Sequence, residues 1–554
     1  MYGRLCFALS RLYVQKEDNM TATARKRFLI IFLIFASALV LRSLAAGLTY
    51  YPVLDDSIQY INFQRSTDFW ELIKNEGLFA SRPLAILTDL FFVGPMNSYL
   101  IVPVMIIASL HGLAGALFLR LFERYFGSGM AFAVIYALIP LNCEGVHWLS
   151  ASTRIVLGLL FTAIAANLFE NFLACGKWWR IPLFALSVLA SYGFYEQILA
   201  LSFTLTVLQA IRYRKDHRAL AVLTAPAMVA VYFVFTSMNA SDGSIGARMQ
   251  IVLPTSRWYF DSFLPDLIKQ IGTAFIKGGA LTLFRGFVRG IEINPWAIAY
   301  ILLSIGAGVA VYFASRRTVN EKHEKPRLGI IIWGVLLFLA PISPYFVIGN
   351  PNFAFRAATP TLVGAGLVID ALLRALLKRE WVYAATTGVL TAVFLVAGAS
   401  EVRDYCSVGK YDDTLARVIL SYEDEFEGRV GILGLEATAP YEQNYFYNGH
   451  IASCAASDWS LYGKLASVSE TVPEFSPVPL ACEDFSFYRQ WNRDTKRIGG
   501  FDQIWLWNGT DMTLTLLTVT PDGGEHDFLF YLHDGTYVGR VWEEDGIGYV
   551  EMVK

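Results

Sequence analysis

The sequence predicts an all-α polytopic membrane protein of about eleven transmembrane helices, followed by a small α/β or β-rich extracytoplasmic domain. Three observations lead there. Of the 554 residues, 55% are hydrophobic and only 17% are charged, against about 25% charged in soluble domains. The depletion is local, because long apolar runs fill the chain from Arg27 to about Ser400. After Glu401 the composition becomes that of a soluble domain, rich in Asp, Glu, Gly and aromatics. The shift divides the chain into a cytoplasmic segment at 1–27, a membrane domain at 28–400 and a soluble domain at 401–554.

A spanning helix needs about 20 apolar residues. Candidate runs lie at 28–48, 98–120, 129–149, 153–174, 181–195, 197–211, 219–237, 294–314, 328–348, 357–377 and 381–400. The fifth and sixth form one stretch, broken only by Tyr195-Glu196-Gln197. It is too long for one untilted crossing. Lys177 and Arg180 precede it, and Arg212, Arg214, Lys215 and Arg218 follow it. Basic flanks belong on the cytoplasmic side, and two crossings satisfy this where one does not. Arg25 to Arg27, Arg120 and Arg124, the basic residues from Arg316 to Arg327, and Arg374 to Arg379 fit the same parity. Eleven spans from a cytoplasmic N-terminus put the soluble domain outside. The outer face then holds long loops at 49–97 and 238–293, while inner connections are short. Long loops carry function, so the work is expected on the outer face. A plasma membrane is the expected location, and the absence of a targeting signal beyond the first span fits a bacterial one.

A net charge of −2 and the lack of a long basic run give no reason to expect nucleic acid. The six cysteines show no C-x-x-C and no zinc spacing. Cys454 and Cys482 both lie in the soluble tail, where an oxidising compartment permits a disulfide. No Walker A sequence, H-E-x-x-H or G-x-S-x-G motif is present.

The chemistry-bearing residues gather at outer helix ends. Tyr50 to Ser57 opens the first outer loop with adjacent Asp55 and Asp56. The plain reading is a helix cap; the sharper one is a base or metal ligand, with Mg or Mn as the possible cation. Neighbouring side chains on a helix point about 100° apart, so one Asp faces a site and the other supports it. Arg82, before Pro83, either binds phosphate or snorkels. Glu144, His147, Trp148 and Arg154 gather at one boundary, and Arg154 opens an apolar helix. Glu196 is an ionisable group at membrane depth, a functional signal by default, or else a plain hairpin turn. Arg356 opens the tenth span. Three arginines with several carboxylates on one face suit a phosphate-linked substrate.

This combination resembles the GT-C superfamily of membrane glycosyltransferases, which use polyprenyl-phosphate sugars. The residues that carry the likeness are Leu54-Asp55-Asp56, Arg82-Pro83-Leu84, His147-Trp148 with Arg154, and Tyr195-Glu196-Gln197. They look like the bacterial relatives of protein O-mannosyltransferases and lipid A aminoarabinose transferases. The resemblance covers about 25–400. It implies Asp55 as base or metal ligand with Asp56 second. It implies Arg82, Arg154 and Arg356 at the carrier phosphate, with His147 and Glu196 as further substrate contacts. The implied partners are a polyprenyl-phosphate sugar donor, an acceptor (polysaccharide, lipid or protein) and the bilayer. The tail from 401 carries no such likeness. Its alternating runs at 430–433, 513–519 and 526–532, with turns at 521–524 and 534–535, predict strands and hairpins. Trp505, Trp507, Tyr445 and Phe446 suit either core packing or sugar stacking.

Two further readings stay open. A transporter or flippase of lipid-linked saccharide would explain the spans and would want carboxylates deep in several helices. A non-catalytic subunit of envelope polysaccharide assembly would tolerate loss of both Asp55 and Asp56.

Overall fold

The structure is a computed structural model that describes residues 22–57, 82–238, 251–292, 297–318, 328–349, 352–436, 451–469, 473–480, 498–525, 527–544 and 547–553. These fall into two compact units: 22–49 with 82–403, and 50–57 with 404–553.

The first unit is helical. Apolar segments that leave water must satisfy every backbone N–H and C=O internally, and the helix does this within one segment. The helices that matter below are α1 (Ala22–Ser43), α2 (Ile101–Phe126), α3 (Leu149–Cys175), α4 (Arg180–Phe194), α5 (Glu196–Arg212), α6 (Leu264–Phe275), α7 (Thr282–Glu292), α8 (Ala297–Thr318), α9 (Leu362–Leu376) and α10 (Glu380–Leu420). Gly127 and Gly176 end α2 and α3 with φ of 65° and 70°, the left-handed conformation in which a glycine closes the last turn.

Six helices among the described residues are long and apolar enough to cross a membrane: Ile101–Phe126, Leu149–Cys175, His217–Met238, Ile298–Arg316, Phe355–Leu376 and Glu380–Leu420. Leu149–Cys175 is central, with 72% of its apolar window buried. His217–Met238 and Ile298–Arg316 face outward, with 17% and 22% buried. Leu302, Leu303, Val309 and Phe313 stand exposed on α8. Such a surface belongs in lipid, since large exposed apolar patches are rare in water.

The other expected spans take different forms. The run at 129–149 is not one helix. Met130–Leu138 ends at Ile139, which is extended before Pro140, and a short helix Cys143–Val146 follows. The residue before proline avoids the helical region, which accounts for the break. Arg180–Phe194 and Leu328–Leu339 are apolar but short. α1 begins with Arg25, Lys26 and Arg27 and ends with Arg42.

α10 has 41 residues, about 60 Å at 1.5 Å per residue, roughly twice a ~30 Å hydrocarbon layer. Its apolar run stops at Ser400, and the half beyond Glu401 carries charged residues. Residues 404–420 belong to the second unit.

The second unit is α/β. β1 (Arg429–Leu433), helix α11 (Asp458–Ser469) and β2 (Ser476–Leu480) are followed by β3 (Gln503–Asn508) and β4 (Thr513–Leu516). The sheet order is β2-β1-β3-β4. β1 runs parallel to both neighbours, with Ile432 opposite Pro479 and Trp505. A strand buried on both faces reads as a continuous apolar run, as Val430 to Leu433 does. β5 (Thr518–Pro521), β6 (Phe528–Tyr531), β7 (Tyr537–Glu544) and β8 (Ile547–Met552) form an antiparallel meander. One core joins Leu415, Ile419, Val430, Leu465 and Trp505. Another joins Leu433, Ile504, Phe530 and Val541. Trp505 and Trp507 are therefore core residues. Tyr445 and Phe446 lie outside the described residues.

Candidate functional site

In the helical unit, ion pairs form where helices break. α4 stops at Phe194, Tyr195 is extended (φ −156°, ψ 119°), and Glu196 starts α5. Arg82 caps the short helix Pro83–Thr88. Its Nε donates to Glu196 Oε2 at 2.7 Å and its Nη2 to Oε1 at 2.5 Å. Two parallel bonds of this kind are the strongest form of the arginine–carboxylate contact. The guanidinium also lies 4.7 Å from the centre of the Tyr195 ring. The next side chain, Gln197, donates to the Ala357 carbonyl at 2.7 Å.

Arg356 sits beside that carbonyl, in the short helix Phe355–Ala358. Its Nη1 donates to Glu144 Oε1 at 2.6 Å, and its backbone N–H donates to Oε2 at 3.2 Å. Glu144 thereby satisfies an orphan N–H at a helix start. The same guanidinium covers the Trp148 ring at 4.9 Å. Arg154, in the second turn of α3, donates from Nη2 to Asp89 Oδ2 at 2.9 Å, and Thr153 Oγ1 donates to Asp89 Oδ1 at 3.2 Å. Arg154 also reaches Glu196 electrostatically, and Tyr345 reaches Tyr195, Glu196 and Arg356. The three arginines expected at a phosphate thus lie in one connected polar cluster, each holding a carboxylate. An incoming anion would have to exchange with Glu196, Asp89 or Glu144.

His147 is buried between Val146 and Trp148. Arg42 is near enough to act on it electrostatically. Arg42 itself is 1% exposed, and its Nη1 donates to Asn142 Oδ1 at 2.7 Å. Sequence reasoning passed over it, although an arginine inside the first apolar run is the signal that membrane-depth charges give. Asp89 and Tyr345 were also passed over.

Asp55 and Asp56 belong to the second unit. Asp56 is buried, and its Oδ2 accepts from the Tyr50 hydroxyl at 2.6 Å and the Val53 N–H at 3.2 Å. It ties down a turn in which Leu54 has φ of 45°. Asp55 is half-exposed, and its Oδ1 accepts from Trp459 Nε1 at 3.1 Å. Trp459, Asp458, Tyr462, Glu474, Phe475 and Ser476 line an open cavity of about 660 Å³. Among the described residues no group of three His, Cys, Asp or Glu gathers to hold a metal ion. Nearby, Asp412 accepts from Ser453 Oγ at 2.6 Å and Cys454 N–H at 2.9 Å. Burial pushes its carboxyl up to about 6. Buried Lys464 pairs with Asp413. Cys482 lies outside the described residues, and the expected pairing with Cys454 lies there too.

No family model matches the chain, and no curated protein matches it.

Proposed function

We propose that the protein is a GT-C-like membrane glycosyltransferase, moving a sugar from a polyprenyl phosphate to an envelope acceptor on the outer face of a plasma membrane. Eleven spans with an extracytoplasmic tail belong to this reading. The observation that carries it is the set of three guanidinium groups at helix breaks, each binding a planar oxyanion. A phosphodiester offers the same oxygens, and arginine's fork matches both. In this reading the carrier phosphate displaces one or more of the carboxylates, and its departing charge is held by preorganised cations. By the resemblance the base role goes to Asp55, with Asp56 second; the turn contacts of Asp56 support that order. It takes the acceptor's hydroxyl proton as that oxygen bonds to the anomeric carbon and the carbon–phosphate oxygen bond breaks. A single displacement inverts the centre.

The test is sugar transfer by the full-length protein in lipid, with crude polyprenyl-phosphate sugars and envelope acceptors. Asp55→Asn is expected to lose about 10²-fold or more, the scale for a positioned base, while Arg82→Ala weakens donor binding. Transfer that survives Asp55→Asn unchanged would remove the base assignment.

One observation favours a second reading. Glu144, Glu170, Asp370 and Glu401 are buried carboxylates within the helical unit, which a transporter of lipid-linked saccharide would use. Movement of labelled lipid-linked sugar across proteoliposomes without transfer would support it.

A further inference from the structure

Helix α7 (Thr282–Glu292) is built inside out. Leu281, just before it, and Phe284, Val288 and Ile291 are exposed at 42%, 67%, 36% and 47%. Their spacing of three, four and three residues makes one continuous stripe along the helix. The opposite face carries Thr282, Arg285, Gly286, Arg289 and Gly290. Arg285 is only 4% exposed, and its Nη2 donates to Glu401 Oε1 at 3.1 Å. A helix on a water-soluble protein buries the apolar stripe and exposes the arginines. Here the sense is reversed, as it should be where the outer medium is hydrocarbon and the interior is polar.

Two further features point to the same medium. A Cβ built on Gly286 would stand 2.8 Å from the Ala397 carbonyl oxygen, and one on Gly290 would stand 2.6 Å from that of Val396. Gly286-x-x-x-Gly290 thus presses backbone against backbone on α10, the small-residue packing used between helices in lipid. α7 also packs against α8. There Leu302 and Phe313, exposed at 62% and 56%, continue the apolar surface.

The length sets the placement. Eleven residues make about 16 Å, half of a ~30 Å hydrocarbon layer, so α7 cannot cross. Its contact at Val396 and Ala397 lies near the end of the apolar run of α10, where acyl chains give way to headgroups. We propose that Thr282–Glu292 is a membrane-embedded helix that docks on lipid acyl chains through Leu281, Phe284, Val288 and Ile291, and holds Arg285 on the protein side against Glu401. The stretch at 238–293, expected from sequence to be an outer loop, then contains part of the lipid-facing wall. This rests on the membrane environment of the helices and is independent of the transferase reading.

The test needs no substitution. The full-length protein is reconstituted with a phospholipid that carries a diazirine in its acyl chain, then irradiated and mapped by mass spectrometry. In parallel, hydroxyl radicals generated in the water phase modify solvent-accessible side chains. The expected result is acyl adducts on Phe284, Val288 and Ile291 at a level comparable with Leu302 and Phe313. Radical modification of Phe284 is expected to be lost relative to exposed Trp459. Radical modification of Phe284 with no acyl adduct would overturn the proposal. So would protection from both reagents together with cross-links between two copies of the 281–291 segment, which would make the occupant a second chain.

Discussion

Replacing Asp412 with Asn should stabilise the second unit at neutral pH and not at acid pH. Asp412 is fully buried, and burial raises its carboxyl from 3.8 to about 6. The folded state therefore holds the proton more tightly than the unfolded chain. The stability this gives is complete below about pH 3.8 and is lost as pH rises through about 6. At 1.36 kcal/mol per pH unit the loss is about 3 kcal/mol, or roughly a hundredfold in the opening equilibrium. Asn keeps both contacts, because its carbonyl accepts from Cys454 N–H and its amide donates to Ser453 Oγ, whose hydroxyl turns to suit. Hydrogen exchange of the β1 strand Arg429–Leu433, read by mass spectrometry in the intact protein, measures the opening free energy. Wild type should lose about 2.5 kcal/mol relative to Asp412→Asn between pH 4 and 7. Equal pH dependence in the two proteins would refute the reasoning. A variant less protected than wild type at pH 7 would do the same, by showing that Lys464 needs the charge.

Arg154→Leu strands the Asp89 carboxylate and should lower stability by about 3–5 kcal/mol, seen as a fall in thermal unfolding temperature in detergent. Adding Asp89→Leu should recover most of that loss. Asp56→Ala removes the acceptor for Tyr50 and Val53 and should weaken the 50–57 segment by about 1–3 kcal/mol, whereas Asp55→Asn should leave its exchange protection unchanged. Gly290→Val forces a side chain against Val396 and should cost about 1–3 kcal/mol, measured by detergent melting. Leu465→Ala opens a cavity in the core of the second unit and should cost about 2–5 kcal/mol, measured by exchange at β1.

The apolar runs made the helices legible, and alternation with Asp-Gly and Gly-Gly turns made the strands of the tail legible. The break at Tyr195 was readable because three polar residues interrupt a long apolar stretch. The broken run at 129–149 was harder, because composition averages over Pro140 while the backbone cannot. The three arginines could be found as cations at helix ends. Their partners could not, because Asp89 and Glu144 come from segments 65 and 212 residues away, and no local pattern encodes that. The contacts of Asp56 are local, to Tyr50 and Val53, and match the cap-like reading that its position in a turn already offered. The reversed sense of α7 was invisible for another reason. Periodicity reveals that a helix has two faces, and only packing reveals which one the protein keeps.

The short segment Tyr50–Ser57 belongs to a unit whose other residues begin at 404. Asp55 meets Trp459 across 404 positions of chain, and Pro52 receives a hydrogen bond from Lys464 at 3.4 Å. At roughly 5–20 residues per second of synthesis, the segment waits on the order of 20–80 s for its partners. It leaves the ribosome among the first structured residues and is among the last to reach its native contacts. A chain that stops anywhere in the helices between keeps the local Tyr50 and Val53 contacts of Asp56 but lacks Trp459 and Lys464, the partners of Asp55 and Pro52. Completion of the tail is thus a checkpoint in time for the opening loop.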